Sequence, residues 1–391
     1  MQAAVLSSLD QALIPELQKR RDASLYRARK VLAGSQSTEV TINGKAYLSF
    51  CSNDYLGLAN HPAVVAAFQH AAGQYGVGSG AAHLISGHRA AHHALEEELA
   101  EFTNRPRALL FSSGYMANLG TVAALVGRSD AVFEDRLNHA SLLDAGLHSG
   151  ARFQRYPHLD LNTLEKHLAA SPATRKLIVT DSVFSMDGDI APLKQLAKCA
   201  AQHNAWLMVD DAHGLGVLGH QGGGCREHFS LSINELPILM ATLGKAFGVY
   251  GAFVAGSEAL IETLIQQART YIYTTALPPA IAEASRASLR IVKSDAWRRD
   301  KLTSLVKQFR HGAQQLGFTL LDATTPIQAL IVGGNQQALS MSQRLFDQGL
   351  LVSAIRPPTV PEGKARLRIT FSALHTEQQI NQLLTALEPL A

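Results

Sequence analysis

One lysine in this chain stands where covalent chemistry is possible. Lys245 follows the apolar run 238–242 (ILMAT) and lies between Gly244 and, three residues on, Gly248. Small neighbours leave room for a planar ring. A lysine beside a buried strand can have its pKa lowered, as an amine that forms a Schiff base requires; an ordinary surface-loop lysine is the competing reading. Thr242 adds a hydroxyl suited to phosphate. A second group lies in 205–214 (AWLMVDDAHG), where an apolar strand delivers Asp210 and Asp211 at its tip, with His213 three residues from Asp210. Side chains alternate along a strand, so only one of the two aspartates can face a given ligand. That carboxylate could keep a pyridine nitrogen protonated while the histidine bonds a neighbouring oxygen. Capping of the next turn, or a metal held by Asp and His, fits the same residues.

Two further sites follow apolar runs in the same way. Ser112-Ser113-Gly114-Tyr115 comes after 108–111 (ALLF) and before a helical stretch. Backbone N–H groups at a helix start, with a glycine allowing close approach, make a phosphate cradle, although a plain N-cap reads identically. His139 follows 131–134 (AVFE) and could lie flat over an aromatic cofactor, or simply pack or cap. Other matches mislead. Gly214-Leu215-Gly216-Val217-Leu218-Gly219 fits the dinucleotide pattern GxGxxG. However, Asp210 and Asp211 would repel a pyrophosphate there, and HQGGGCREHF after Gly219 does not begin a helix. Lys245 is followed by Ala246, not the Ser or Thr of a nucleotide P-loop. His88, His92 and His93 could place two histidines on one helical face, but no further ligand is evident and no metal site is assigned.

The elements that must position these groups alternate. Apolar runs at 108–111, 131–134, 176–181, 205–210, 238–242 and 252–255 read as strands buried on both faces, hence a mostly parallel sheet covered by helices. In such sheets ligands sit beyond the carboxyl ends of the strands, where all four groups fall. His92–Thr103 reads as a helix with Leu95, Leu99 and Phe102 on one face and four glutamates around the rest. Residues 6–30 look helical from Leu6, Leu9, Leu13 and Leu17, with Pro15 expected to kink or interrupt. Asn43-Gly44 signals a hairpin over 39–50. After about 285, two long helices precede strand-like runs at 329–332, 350–355 and 365–370 and a final helix. Three parts are expected: an N-terminal arm over 1–50, a large α/β domain over 51–285 and a smaller α+β domain over 286–391.

Composition narrows the partners. Apolar residues are 47% and charged residues 17% of 391, and 35 basic against 32 acidic residues give +3, too even for nucleic-acid binding by field alone. Cys51, Cys199 and Cys225 form no CxxC pair and suit a reducing cytosol. There is no leader pattern and no apolar run of membrane length. The expectation is a soluble cytoplasmic protein. The basic cluster Lys19, Arg20, Arg21, Arg27, Arg29 and Lys30 reads as a solvated face that could also receive an anionic acyl chain or coenzyme A.

The segments SNDYLGL (52–58), VFSMDGD (183–189), VDDAHG (209–214) and TLGKAFG (242–248), in this order, resemble the α-oxoamine synthases. These are fold-type I enzymes dependent on pyridoxal 5'-phosphate, and the likeness runs from about residue 15 to the end. It implies a homodimer with its active site at the subunit interface, which joins an amino acid to an acyl thioester with loss of carbon dioxide. DDAHGLGVLG and IRPPTVPEGKARLRITFSALHT (355–376) favour the branch that uses L-alanine and a pimeloyl thioester, carried by coenzyme A or an acyl carrier protein, in biotin synthesis. The alternatives are condensation of glycine with acetyl-CoA and, from another class, a dinucleotide-binding oxidoreductase.

By the same resemblance, Lys245 forms the Schiff base with the cofactor and His139 stacks on its ring. Asp210 pairs with the ring nitrogen, and His213 bonds the ring oxygen. Gly114, Tyr115, Ser185 and Thr242 contact the cofactor, mostly around its phosphate, and Thr275 reaches the phosphate of the neighbouring subunit. Arg356 binds the amino-acid carboxylate, Arg27 and Thr359 contact substrate, and Asn53 lies near the Schiff base. One departure is visible: Ala81-Ala82 stands where the family usually shows Gly followed by Gly or Ser.

Overall fold

The computed structural model describes residues 7–390. Three short strands lie in the N-terminal part: β1 (Leu32–Ala33), β2 (Glu39–Ile42) and β3 (Lys45–Ser49). Asn43 and Gly44 close the β2–β3 hairpin with φ of 50° and 78°, the paired left-handed conformation that a two-residue turn requires. The next seven strands form the central sheet. They are β4 (Arg107–Phe111), β5 (Ala131–Asp135), β6 (Arg152–Tyr156), β7 (Lys176–Asp181), β8 (Trp206–Asp210), β9 (Ile238–Thr242) and β10 (Ala252–Gly256). Their spatial order is β4-β10-β9-β8-β7-β5-β6, and β10 alone runs against the rest. The six apolar runs are all in this sheet. The seventh strand, β6 (RFQRY), escaped the pattern because it is only partly buried, whereas β4 at the opposite edge is covered and apolar.

The C-terminal part holds β11 (Ile327–Gly333), β12 (Leu350–Leu351), β13 (Ser353–Ile355) and β14 (Ala365–Thr370). β11, β14 and β13 make an antiparallel sheet. The run 350–355, expected to be one strand, splits at the buried Val352. Leu350 and Leu351 pair in parallel with Leu48 and Ser49 of β3, and Ser353–Ile355 pair with β14. The C-terminal chain thus completes the N-terminal sheet.

Five helices flank these sheets or lead into them. α1 (Ser8–Asp22) runs through Pro15 without interruption. It ends instead at Ala23, before Ser24, whose φ of 57° a continuing helix cannot accommodate. Leu6 lies outside the described residues. Leu9, Leu13 and Leu17 are exposed, and α1 buries no side chain within the chain. α2 (Pro62–Tyr75) and α3 (Ala90–Phe102) pack against the helix Pro279–Ser294. Of the four glutamates of α3, Glu96 turns inward, where its Oε1 accepts from the Leu110 N–H at 2.9 Å. α4 (Gly114–Leu125) and α5 (Ala140–His148) follow β4 and β5 and lie side by side. Among the described residues no helix is long and apolar enough to cross a membrane.

The glycines of GLGVLG have a packing reason. Asp211 is fully buried; its carboxylate accepts from Ser182 Oγ at 2.5 Å and from the Cys225 N–H at 2.8 Å. A Cβ on Gly214 would sit 2.1 Å from Asp211 Oδ1, and one on Gly224 1.9 Å from Oδ2. The segment wraps a carboxylate of its own chain and leaves no room for a phosphate. A five-residue helix, Gly224–His228, does start in HQGGGCREHF, but its first turn is given to Asp211. Because Gly224 also has φ of 72°, Gly224→Ala is expected to lose about 2–3 kcal/mol of stability. A denaturant midpoint equal to that of the wild type would contradict this packing.

Candidate active site

Five parallel strands, β4, β5, β7, β8 and β9, end at the same edge of the sheet, and the chemistry collects there. Asp210 and Asp211 separate as alternation demands. Asp211 is turned inward to Ser182 and Cys225, and burial pushes its carboxyl up to about 7. Asp210 faces a cavity of about 210 Å³ lined by Gly114, Tyr115, His139, Ser141, Asp181, Ala212, His213, Met240, Thr242 and Lys245. A larger hollow of about 540 Å³, beside His158 and Asp189, contains no lysine or cysteine. The Asp210 carboxylate is fixed on both oxygens. Oδ1 accepts from the Ala212 N–H at 2.9 Å and Oδ2 from Asn118 Nδ2 at 2.8 Å.

Lys245 stands half-buried opposite. Its Nζ lies 2.9 Å from His213 Nε2, and His213 Nδ1 lies 2.7 Å from Tyr55 Oη. The Tyr55 hydroxyl also reaches Asn53 Oδ1 at 3.2 Å, as does Arg368 Nη2. A phenol has one hydrogen. Given to Asn53, it leaves Tyr55 to accept from His213 Nδ1–H, so that the Nε2 lone pair faces Lys245. Desolvation lowers the Lys245 pKa, and the Arg368 charge adds to this against the opposing pull of Asp210 and Asp181. Desolvation, helped by the Lys245 and Arg368 charges, holds His213 well below the usual imidazole range. A neutral imidazole beside an easily deprotonated amine is an arrangement for accepting and returning a proton.

His139 caps α5. Its backbone N–H donates to Asp181 Oδ2 at 2.7 Å, and its Nδ1 lies 2.8 Å from Ser141 Oγ. Burial lowers its pKa. At the other end of the cavity is the start of α4. Ser113 Oγ accepts from the Met116 N–H at 3.3 Å, so Ser113 is the N-cap. The N–H groups of Gly114 and Tyr115 ahead of it have no acceptor within the helix. The N-cap is therefore formed, and it leaves two N–H groups of the first turn facing outward. Thr242 Oγ1 donates to the Gly251 carbonyl at 2.9 Å and accepts from the Gly244 N–H at 3.2 Å, which stiffens the turn into Lys245.

These residues fit the pyridoxal phosphate that the family resemblance implies. A carboxylate, an imidazole, a half-buried amine and a helix N-terminus surround one ring-sized cavity, and no bulky side chain blocks Gly114, where an added Cβ would meet only Met240 Cε at 3.6 Å.

Other expected residues fall outside the cavity. Ser185 is on the loop after β7, and its carbonyl accepts from Arg368 Nε at 2.6 Å. Thr275 is exposed, bridged to Ala82, with its carbonyl 3.5 Å from Ser112 Oγ. Arg27 Nη2 lies 3.2 Å from Thr359 Oγ1, and both line a separate pocket of about 280 Å³ with Arg356. The Arg356 guanidinium donates to the Ser24 carbonyl. The structure therefore places Arg356 with Arg27 and Thr359 and not with Lys245. The cation near Lys245 is Arg368, buried on β14. Arg368, Asn118, Ser141 and Asp181 were missed in the sequence. The signal was present for Arg368, in a charge that alternates through an otherwise apolar strand (ARLRIT), and for Asn118, a lone amide in the apolar helix GYMANLGTVAAL.

Residues 45–387 match the sequence model of the Aminotransferase class I and II family. The chain belongs to that family. Among its relatives, the 8-amino-7-oxononanoate synthase of Cellvibrio japonicus (strain Ueda107) is 62% identical over 97% of this chain and 96% of its own. The serine palmitoyltransferase of S. paucimobilis, solved with a bound PLP–myriocin adduct, superposes with a TM-score of 0.92 at 32% identity, covering 98% of each chain. The 8-amino-7-oxononanoate synthase of Francisella tularensis superposes with a TM-score of 0.78 at 34% identity, over 88% of this chain and 97% of the other. This family fold, a mostly parallel sheet with helices and a smaller C-terminal sheet, is the one expected.

The two aspartates separate by experiment. An amide at 211 can donate to Ser182 Oγ and accept from the Cys225 N–H, so Asp211→Asn should keep turnover within about threefold. An amide at 210 carries no charge, and Asp210→Asn should lose turnover by roughly a hundredfold or more. Steady-state rates of the two folded variants check this; equal losses would contradict the assignment.

Proposed function

We propose that this chain forms 8-amino-7-oxononanoate, the product for which its 62%-identical relative is named, by condensing L-alanine with a pimeloyl thioester. One carbon–carbon bond forms between the alanine α-carbon and the acyl carbonyl. The carbon–sulfur bond breaks and releases the thiol, the alanine carboxylate leaves as carbon dioxide, and a proton takes its place on the α-carbon. The observation that carries the reading is the Lys245–His213 contact of 2.9 Å in the cavity that Asp210 faces.

Pyridoxal phosphate, when bound, supplies a protonated ring that stores the electrons released at the amino acid's α-carbon. Lys245 holds the cofactor by its Nζ and, once the amino acid has taken its place, removes the α-proton with the same atom. Asp210, fixed by Ala212 and Asn118, keeps the ring nitrogen protonated. His139 stacks on the ring, and His213 bonds the ring oxygen. The N–H groups of Gly114 and Tyr115 hold the phosphate end, and Thr242, with its hydroxyl hydrogen given to Gly251, keeps the adjoining turn in place. Thr275, exposed in its own subunit, reaches the phosphate of a second subunit, which makes the homodimer the working unit.

The arginines divide the two carboxylates. Arg368, joined to Asn53 beside Tyr55, takes the carboxylate of alanine. Arg27, Arg356 and Thr359 take the far carboxylate of the pimeloyl chain, since two cations and a hydroxyl in a pocket of their own suit an acyl group that ends in an anion. An acetyl group has no such end. The acyl carrier is coenzyme A or a carrier protein. The three free cysteines, Cys51, Cys199 and Cys225, suit a reducing compartment, the cytoplasm.

Borohydride reduction of the holoenzyme followed by peptide mapping should label Lys245, and a label on another lysine would remove the assignment. In side-by-side product assays, L-alanine with pimeloyl-CoA is expected to give far higher kcat/KM than glycine with acetyl-CoA. Alanine against glycine on one acyl donor should differ by only about 10- to 200-fold, because a single methyl group is the sole difference. A better rate with glycine and acetyl-CoA would overturn the substrate while leaving the family intact.

A further inference from the structure

The histidine-rich entry to α3 lies outside the Lys245 site. His83 and His88 bound the short π-helical turn His83–Gly87, His92 and His93 lie in the first turn of α3, and Glu96 follows one turn later. Hydrogen-bond partners fix which ring nitrogens are free. His92 Nε2 lies 2.7 Å from the Leu277 carbonyl and must donate to it, and its Nδ1 accepts from the Arg89 N–H at 3.0 Å. His92 has no lone pair left, so the grouping of His83, His88 and His92 cannot hold a cation together.

His88 differs. Its Nδ1 lies 2.9 Å from His83 Nδ1, so one of the two carries the hydrogen. With the hydrogen on His88 Nδ1, its Nε2 keeps a lone pair on the outer side, 4.0 Å from Glu96 Oε2. His93 stands three residues before Glu96, on the same helical face. One donor atom each from His88, His93 and Glu96 lie within 4.8 Å of one another.

We propose that His88, His93 and Glu96 form a binding site for a divalent cation of the zinc class, with water completing the coordination. Two imidazoles and one carboxylate are a borderline donor set that suits zinc better than magnesium or calcium. Bonds of about 2.1 Å in a tetrahedron set donors roughly 3.4 Å apart, so the 4.0 Å between His88 Nε2 and Glu96 Oε2 must shorten by about 0.6 Å and no gap by more than about 1.4 Å. His93 can supply the larger movement, because its side chain is 65% exposed and its contact with Glu97 Oε1, at 3.4 Å, is a surface pair worth little. The other two ligands are already aimed. The second nitrogen of His88 is held by His83, and the second oxygen of Glu96 by the Leu110 N–H at 2.9 Å, the outer partners that metal ligands need.

The site would brace more than itself. His83 stacks on Tyr271 with centroids 5.1 Å apart and 12° between planes, and the adjoining Ala82 bridges Thr275. A cation that joins His88 to α3 therefore steadies the segment that presents Thr275.

The test is a titration of chelator-treated holoenzyme with zinc chloride by calorimetry, repeated with cobalt chloride to read the ligand field in the visible spectrum. The wild type is expected to bind one zinc per chain at this site. His93→Ala and Glu96→Gln should each weaken it roughly tenfold or more. Glu96→Gln keeps an acceptor for Leu110, and an unchanged cofactor spectrum and circular dichroism confirm that both variants are folded. His203→Ala, at the separate His203–Glu165 pair, should leave the affinity unchanged. Absence of saturable binding in the wild type, or wild-type affinity in either His93→Ala or Glu96→Gln, would overturn the site.

Discussion

Two carboxylates on consecutive residues at the end of a buried strand set the terms for the rest of the molecule. Each loses its hydration, and together they would repel. The strand pleat resolves this by turning them to opposite sides. Asp211 goes inward, accepts two hydrogen bonds and organises the glycine-rich loop around itself. Asp210 goes to the cavity, where Asn118 from α4 and the Ala212 N–H hold both of its oxygens. One carboxylate holds the architecture and its neighbour faces the chemistry, a distinction that depends on a single residue of register.

The groups across the cavity depend on that placement. Lys245 is desolvated at the end of β9, and burial favours its neutral amine while Asp210 and Asp181 favour its ammonium. His213, two residues after Asp211, is carried on the same turn and sits between Tyr55 and Lys245. Tyr55 and Asn53 come from the N-terminal part and Arg368 from β14, so the site is closed by parts of the chain more than 300 residues apart. The splitting of the run 350–355 at Val352 serves this closure, because it pins β12 to β3 while β13 goes to β14, the strand of Arg368.

Much of this is legible in the amino-acid sequence. The six apolar runs marked six of the seven central strands, since strands buried on both faces have continuous apolar sequence. The polar residues after them, Ser113, His139, Asp210 and Lys245, converge as the carboxyl-end rule requires. What was not legible has physical causes. The edge strand β6 has no apolar run to betray it. The helix α1 ends at a left-handed Ser24, which a periodicity argument cannot see, and not at Pro15. Arg368 was hidden because its strand, 365–370, reads as apolar, and a run of that kind does not say which side chain faces a site. Asn118 was hidden by distance, since 92 residues separate it from the aspartate it supports.

Asp210, and not Asp211, governs the protonation of the bound ring in this account. The most direct test is the nitrogen-15 chemical shift of the holoenzyme reconstituted with ring-labelled pyridoxal phosphate. The wild type and Asp211→Asn should both show a protonated ring nitrogen, and Asp210→Asn an unprotonated one. A protonated nitrogen in Asp210→Asn would contradict the account.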